Sequence, residues 1–166
     1  MTAALHSRGS DRVRPATRAD ADAVIAVVNA AFAIETFFLE GTRTDERRLQ
    51  AMMRSGEFLV IEDRDGRIVG SVCVEVQGED ACFRMLAVDP ARQGDGLGRL
   101  LVEAAEAHGR AHGCMRMEID VLNLRTELLP FYRKLGYVET GTAPFHPLRP
   151  LRAGVECYRI ILAKGL

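Results

Sequence analysis

A chain of 166 residues and 18.3 kDa is long enough to bury a core without disulfide or metal staples, and short enough to be one domain. Its 48% apolar and 27% charged residues exclude intrinsic disorder. The 22 basic and 23 acidic residues leave a formal charge of −1, which argues against a generic nucleic-acid binder that works through a basic stripe. No stretch approaches the roughly 18 continuous apolar residues of a membrane span, and residues 1–15 lack the apolar centre of a secretion signal. A soluble, cytoplasmic protein is expected, with no membrane and no nucleic-acid partner.

Residues 1–11 are small and polar and read as a loose tail, leaving 12–166 as a single domain. Val13 starts a short strand that Pro15 stops. Thr17-x-x-Asp20 reads as a capping box, and Val24, Val27, Val28 and Ala31 then lie on one face of a helix over about 18–32. Residues 33–43 are ambiguous. Thr44 to Arg54 reads as a second helix, ended by Gly56. Three strand-like runs follow, Phe58–Ile61, Ile68–Val76 and Ala81–Val88, separated by turns at Asp65-Gly66 and Gln77–Asp80. Such spacing predicts an antiparallel meander.

After Asp89-Pro90 the pattern changes to a glycine cluster and a long helix. Leu97, Leu100, Leu101, Ala104, Ala105 and His108 form its apolar stripe, and Gly113 suits the position after its end. Met115, Met117, Ile119 and Val121 alternate with Arg116, Glu118 and Asp120, which predicts a half-buried strand. Glu127 to Leu135 is a short helix closed by Gly136. Extended structure resumes at Tyr137, a Pro-rich loop covers 143–154, and Val155–Leu162 reads as the last strand. The whole is an α/β domain with a mixed sheet.

The cysteines at 73, 82, 114 and 157 make no CxxC motif and sit in or beside apolar runs, so buried structural thiols are expected. His108 and His112 have helical i,i+4 spacing without an HExxH pattern or a third ligand. They fit the negative end of a helix dipole, and no metal site is expected.

The most informative segment runs from Asp89 to Leu101 (DPARQGDGLGRLL). It leaves a strand, turns through three glycines and opens a helix. Glycine lets backbone N–H groups approach an anion closely, and the helix N-terminus contributes about half a positive charge. This is a phosphate cradle. It is not a Walker loop, because the Lys-Ser/Thr pair is absent. It is not a dinucleotide loop either, because Arg99 stands where the third glycine belongs and three strands precede it.

Gln93-Gly94-Asp95-Gly96-Leu97-Gly98 fits Q/R-x-x-G-x-G/A, preceded by Leu86-Ala87-Val88-Asp89-Pro90. The segment resembles the acetyl-CoA loop of the GNAT superfamily of N-acetyltransferases. Phe131-Tyr132-Arg133-Lys134-Leu135-Gly136-Tyr137 resembles that family's FYxKLGF segment, and the element order agrees over about 12–162. The resemblance implies six to seven mostly antiparallel strands, splayed between the fourth and fifth, with about four helices. It implies acetyl-CoA as cosubstrate, with Gln93, Gly94, Asp95, Gly96, Leu97, Gly98 and Arg99 around the pyrophosphate. Leu86, Ala87 and Val88 would pair with the pantetheine arm through their main chain, and Tyr132 would be the general acid toward the leaving thiolate. Two positions depart from the family pattern. Asp95 places a carboxylate inside the loop, where it must turn away from a pyrophosphate. Arg125, with Asn123 two residues earlier, stands where relatives often have an Asn.

Acetyl transfer to an amine requires loss of an amine proton, stabilisation of the thioester oxygen and departure of a thiolate. A backbone N–H near Ala87 or Val88 suits the second need. Glu75, Glu118, Asp120 and His146 are candidate bases, with Asp120 favoured at the end of its strand. Nothing in the sequence suggests a covalent enzyme intermediate, so direct attack in a ternary complex is expected. Glu35, Glu40, Asp45 and Glu46 offer negative charge for a cationic amine. Phe32, Phe37, Phe38 and Phe145 offer apolar walls. Expected partners are a small-molecule or protein amine and, in a homodimer, a second copy of the chain. The competing function is a non-catalytic acyl-CoA-binding regulatory module on the same fold.

Overall fold

A computed structural model describes residues 7–8 and 11–166 of the protein. Two short strands, β1 (Ser7–Arg8) and β2 (Asp11–Pro15), lead by antiparallel pairing into the meander of β3 (Glu57–Glu62), β4 (Ile68–Gln77) and β5 (Asp80–Val88). The strand β6 (Arg116–Leu122) lies parallel to β5. With β7 (Val138–Pro144) and β8 (Tyr158–Gly165) the sheet order is β1-β2-β3-β4-β5-β6-β8-β7. The tail expected at 1–11 lies largely outside the described residues; Ser7–Arg8 and Asp11 belong to β1 and β2.

Four helices flank the sheet: α1 (Ala21–Phe32), α2 (Glu46–Ser55), α3 (Leu97–Ala111) and α4 (Leu128–Lys134). A 3₁₀ turn at Arg18–Asp20 leads into α1, and the Asp20 carboxylate accepts the Thr17 N–H at 2.7 Å. The Asp45 carboxylate caps α2 by accepting the Arg48 N–H at 2.9 Å. Residues 33–37, ambiguous in sequence, form a further 3₁₀ turn. The helix α3 ends where its sequence predicts: Gly113 has φ +79°, and the Cys114 N–H returns to the Gly109 carbonyl at 3.0 Å.

Strand alternation divides the core between the two faces. Leu59, Ile61, Val72 and Val74 pack with Leu97, Leu100, Leu101 and Ala105 of α3. Phe58, Val60 and Cys73 pack with Val24, Val27 and Val28 of α1 and Leu49 of α2. Burial pushes the Cys73 thiol up to about 12, so this cysteine is an inert small hydrophobe. The strand β5 breaks the alternation. Ala81 and Phe83 face α3, whereas Met85 and Ala87 face α1 and α2. The cause is a bulge: Ser71 pairs with Ala87 and Cys73 with Arg84, so Val72 stands opposite both Met85 and Leu86. Met85 takes φ +57°, the one positive φ outside glycine among the described residues.

The last strand lies three residues later than the sequence suggests, at 158–165 rather than 155–162. Asn123 sets its start. The Asn123 side-chain oxygen accepts the Tyr158 N–H at 2.8 Å, and the Asn123 N–H donates to the Tyr158 carbonyl at 3.0 Å.

Two stability predictions arise here. Glu106 of α3 is buried and accepts hydrogen bonds from the Tyr137 hydroxyl at 3.0 Å and from Lys164 Nζ at 2.9 and 3.0 Å. Glu106→Ala leaves both donors without their acceptor. Lys164 is a quarter exposed, so the cost sits at the low end for a broken buried pair, about 3 kcal/mol. Urea unfolding of the variant with a wild-type midpoint would show that this network does not stabilise the fold.

The second concerns Asp20, which pairs with Arg14 at 2.8 Å, while Arg14 also binds Glu62 at 2.6 Å. The Arg14 hydrogen bond holds the Asp20 carboxyl at about 2. A depressed carboxyl stabilises the fold above its ordinary value near 3.8, and that contribution is lost as pH falls toward 2. Arg14→Met is expected to flatten stability against pH in that window, read by denaturant titrations at pH 5, 4 and 3. An unchanged slope would remove the pair from the acid response.

Candidate functional site

The glycine segment joins the end of β5 to α3. The Asp89 carboxylate accepts the Ala91 N–H at 2.9 Å and starts a single turn over Pro90–Arg92. Gly94 and Gly96 follow with φ of +93° and +81°, a region in which a side chain is strained. Gly96 is the N-cap of α3, whose first intrahelical bond runs from the Leu100 N–H to the Gly96 carbonyl at 3.1 Å. The amides of Leu97, Gly98 and Arg99 precede that bond and remain available to an anion. Gly98 lies in the first turn of α3 beside the Phe131 ring. A Cβ there would meet the Phe131 ring at 3.4 Å, an ordinary van der Waals contact, so the packing of α4 on α3 does not by itself require glycine. The Asp95 carboxylate turns to Arg92 at 2.7 Å and stays off the cavity wall, while Arg92 also holds Asp11 at 3.0 Å.

This loop forms one end of a cavity of about 940 Å³. The cavity exists because β5 and β6 part. They pair only from Asp80–Cys82 to Arg116–Glu118, and beyond those residues the sheet opens. Phe83, Leu86 and Val88 line one side of the cleft, and Ile119, Asp120 and Val121 the other. The opening lies between the fourth and fifth strands of the sequence reading, which are β5 and β6 here. Leu86 and Val88 face the cleft with Gln93, Gly94, Gly96, Leu97, Gly98 and Arg99, whereas the Ala87 side chain is buried in the core against α1.

Tyr132 of α4 lines the cavity. It is buried among Phe83, Phe131 and Tyr137, with ring centroids at 6.1, 5.0 and 5.9 Å. Burial pushes its phenol well above the usual range; the Arg125 charge opposes the rise and the Asp120 charge adds to it. Asp120 lies on the cavity wall, exposed, with Arg159 Nη1 at 3.3 Å. The other candidate bases separate. Glu75 accepts from Arg84 at 3.0 Å and Ser55 at 3.2 Å, Glu118 pairs with Arg116 at 3.0 Å, and neither lines the cavity. His146 does line it, from an exposed loop position.

The far wall is built from segment 33–43 and the Pro-rich loop, which are laced together. The Glu40 N–H donates to the Pro150 carbonyl and the Arg152 N–H to the Phe38 carbonyl, both at 2.9 Å, around a bridge between Leu39 and Leu151. Between them Glu35 is buried, with Arg125 Nη1 on one oxygen at 3.1 Å and Arg149 Nη2 on the other at 2.6 Å. Glu35 is therefore not free to attract a cationic amine. Asp45 is committed to its cap, and Glu46 accepts from Gln50 at 2.9 Å. Arg125 lines the cavity and also binds Glu127 at 2.5 Å; Asn123 is absorbed by β8. Sequence reasoning missed the Met85 bulge and the parts of Arg43 and Arg149 in this wall. No periodicity or motif marks a bulge, or an arginine that meets its partner 114 residues away.

The comparisons agree with this architecture. The family model described as an acetyltransferase (GNAT) domain matches residues 54–139, more than half of the chain. Glucosamine 6-phosphate N-acetyltransferase 1 of Oryza sativa subsp. japonica is 31% identical over 137 residues, covering 77% of this chain and 81% of that protein. Mycothiol acetyltransferase of Propionibacterium freudenreichii is 30% identical over 142 residues, 78% of this chain, which spans only 45% of that longer relative. Among solved structures, the ribosomal-protein-S18-alanine N-acetyltransferase of Escherichia coli superposes with a TM-score of 0.75 at 18% identity, covering 93% of both chains. The Salmonella typhimurium protein yncA, solved with its cofactor acetyl-CoA, superposes with a TM-score of 0.73 at 19% identity, covering 95% of this chain and 94% of that one. With the glycine loop, the parted strands and the matching domain all in one frame, the chain belongs to the GNAT superfamily of acetyltransferases.

Proposed function

We propose that the protein is an N-acetyltransferase that moves an acetyl group from acetyl-CoA to a primary amine by direct attack in a ternary complex. The observation that carries this reading is the parting of β5 from β6 after three paired residues, which opens a cleft ending at the N-terminus of α3. Acetyl-CoA supplies the activated thioester. The amides from Gln93 to Arg99 hold its pyrophosphate, and the free main chain of Leu86 to Val88 holds the pantetheine arm as an added strand. The bulge at Met85–Leu86 takes main-chain groups out of the β4 ladder beside the cleft, where an N–H from this stretch polarises the thioester carbonyl. Tyr132 donates a hydrogen bond to the departing thiolate. Asp120, at the wetter wall, draws the acceptor's ammonium inward and passes its proton to water.

Calorimetry with acetyl-CoA, followed by CoA release across an amine panel, tests the reading. Binding and turnover are expected together. Binding with no turnover on any amine would favour a regulatory acyl-CoA-binding module instead, and absence of binding would refute the cradle.

A further inference from the structure

The cavity wall holds more positive charge than its own residues use. Arg125 and Arg149 close on the carboxylate of Glu35 and Arg125 also binds Glu127, so these two cations are matched by two carboxylates and the excess lies elsewhere in the wall. Arg43 stands in the same wall, with its guanidinium carbon 5.1 Å from the centre of the Phe32 ring. Its Nε is buried with no hydrogen-bond partner, and no ion pair from its guanidinium is found among the described residues. The chain around it is held firmly. Next to it, the Thr44 N–H donates to the Asn29 side chain at 2.9 Å, and Asn29 donates back to the Thr44 carbonyl at 3.0 Å. Arg43 is thus a pre-positioned, largely desolvated cation facing a cavity. Burial makes it less willing to hold its proton, the neighbouring Arg149 and Arg48 charges add to that, and the Glu35 and Asp120 charges oppose it. Burying a cation without a counter-charge is unfavourable, and a planar guanidinium with free donors is suited to bind an oxyanion in a fork.

We infer that the acceptor amine carries an oxyanion, carboxylate or phosphonate-like, which Arg43 binds with Arg149 beside it, so that the amine end points along the cavity toward Asp120 and the cleft. Arg43 is then a specificity-determining residue. The inference rests on the acetyltransferase reading, and it reverses the sequence expectation that acidic residues of this segment receive a bare cationic amine. The charge on the wall has the opposite sign.

The test uses the full chain and matched acceptor pairs: amino acids against their carboxamides, and aminoalkyl phosphonates against the amines lacking the phosphonate. CoA release is expected to show kcat/KM at least tenfold higher for the anionic member of a pair, and the carboxylate and phosphonate arms identify which oxyanion fits. In Arg43→Gln, KM for the anionic acceptor should rise at least tenfold while that for its neutral partner stays within twofold and acetyl-CoA affinity is kept. Arg43→Lys should recover part of the loss. Equal use of acids and amides by the wild-type protein would overturn the inference, and so would an Arg43→Gln variant with unchanged selectivity. The wild-type comparison stands even if the variant fails to fold. Acids and carboxamides are also titrated into the CoA-loaded protein by calorimetry. Preference for the acids there supports the anion site even if no amine is acetylated, a result that would sink the catalytic reading alone; equal binding would overturn the anion site.

Discussion

Gly96→Val is expected to weaken acetyl-CoA binding at least tenfold while the protein still folds. Gly96 sits at φ +81° as the N-cap of α3, with Gly94 at φ +93° two residues earlier. A β-branched residue in the left-handed region is strained, and the loop relieves that strain by rotating its peptides. Rotation turns the amides ahead of Leu97 away from the pyrophosphate position, and the Cβ substituents occupy space that the phosphate oxygens need. The loop is on the surface and most of the α3 contacts lie further along the helix, so stability should fall far less than affinity. Calorimetry giving wild-type affinity in a folded variant would show that this loop does not hold the cofactor.

Tyr132→Phe is expected to lower kcat about a hundredfold with little change in acetyl-CoA affinity, the low end for losing one hydrogen-bond donor to a charge that develops in the transition state. The substitution keeps the ring that packs against Phe83, Phe131 and Tyr137 and removes only the hydroxyl. Burial raises the Tyr132 phenol, so full proton transfer to a thiolate, whose thiol has a parent value near 8.5, is uphill. Its contribution is a hydrogen bond that strengthens as charge develops on sulfur, with Arg125 opposing part of the rise. The loss should therefore appear equally in kcat and kcat/KM. The alkaline limb of the pH–rate profile should not move in Tyr132→Phe, because the phenol stays protonated throughout the working range. Wild-type turnover in the variant would take Tyr132 out of the mechanism.

Much of the fold could be read from local signals. The Thr17–Asp20 cap, the α3 stripe ending before Gly113, the alternation of β6 and the turns at Gly66 and Gly78 each depend on a few neighbouring residues. Backbone conformation and side-chain period express themselves there without distant partners. The same holds for the glycine loop, because left-handed φ angles and a helix start are properties of a dozen consecutive residues. With the Phe131–Tyr137 segment, that loop was enough to place the chain in its family.

Other features depended on contacts between remote parts of the chain. The β5 bulge is a mismatch of register with β4, and it exchanges the faces of Met85 and Leu86 without a mark in the sequence. The start of β8 is set by Asn123 in the turn after β6, not by the apolar run from Val155. Glu35 reads as an acidic residue awaiting a cation until Arg125 and Arg149, 90 and 114 residues away, close on it. Arg43 shows its unused charge only once those pairs are formed. Local chemistry determines which turns and helices this sequence makes. The sign of the charge an acceptor meets depends on which side chains remain unpaired after folding, and a pairing between distant residues has no local cause.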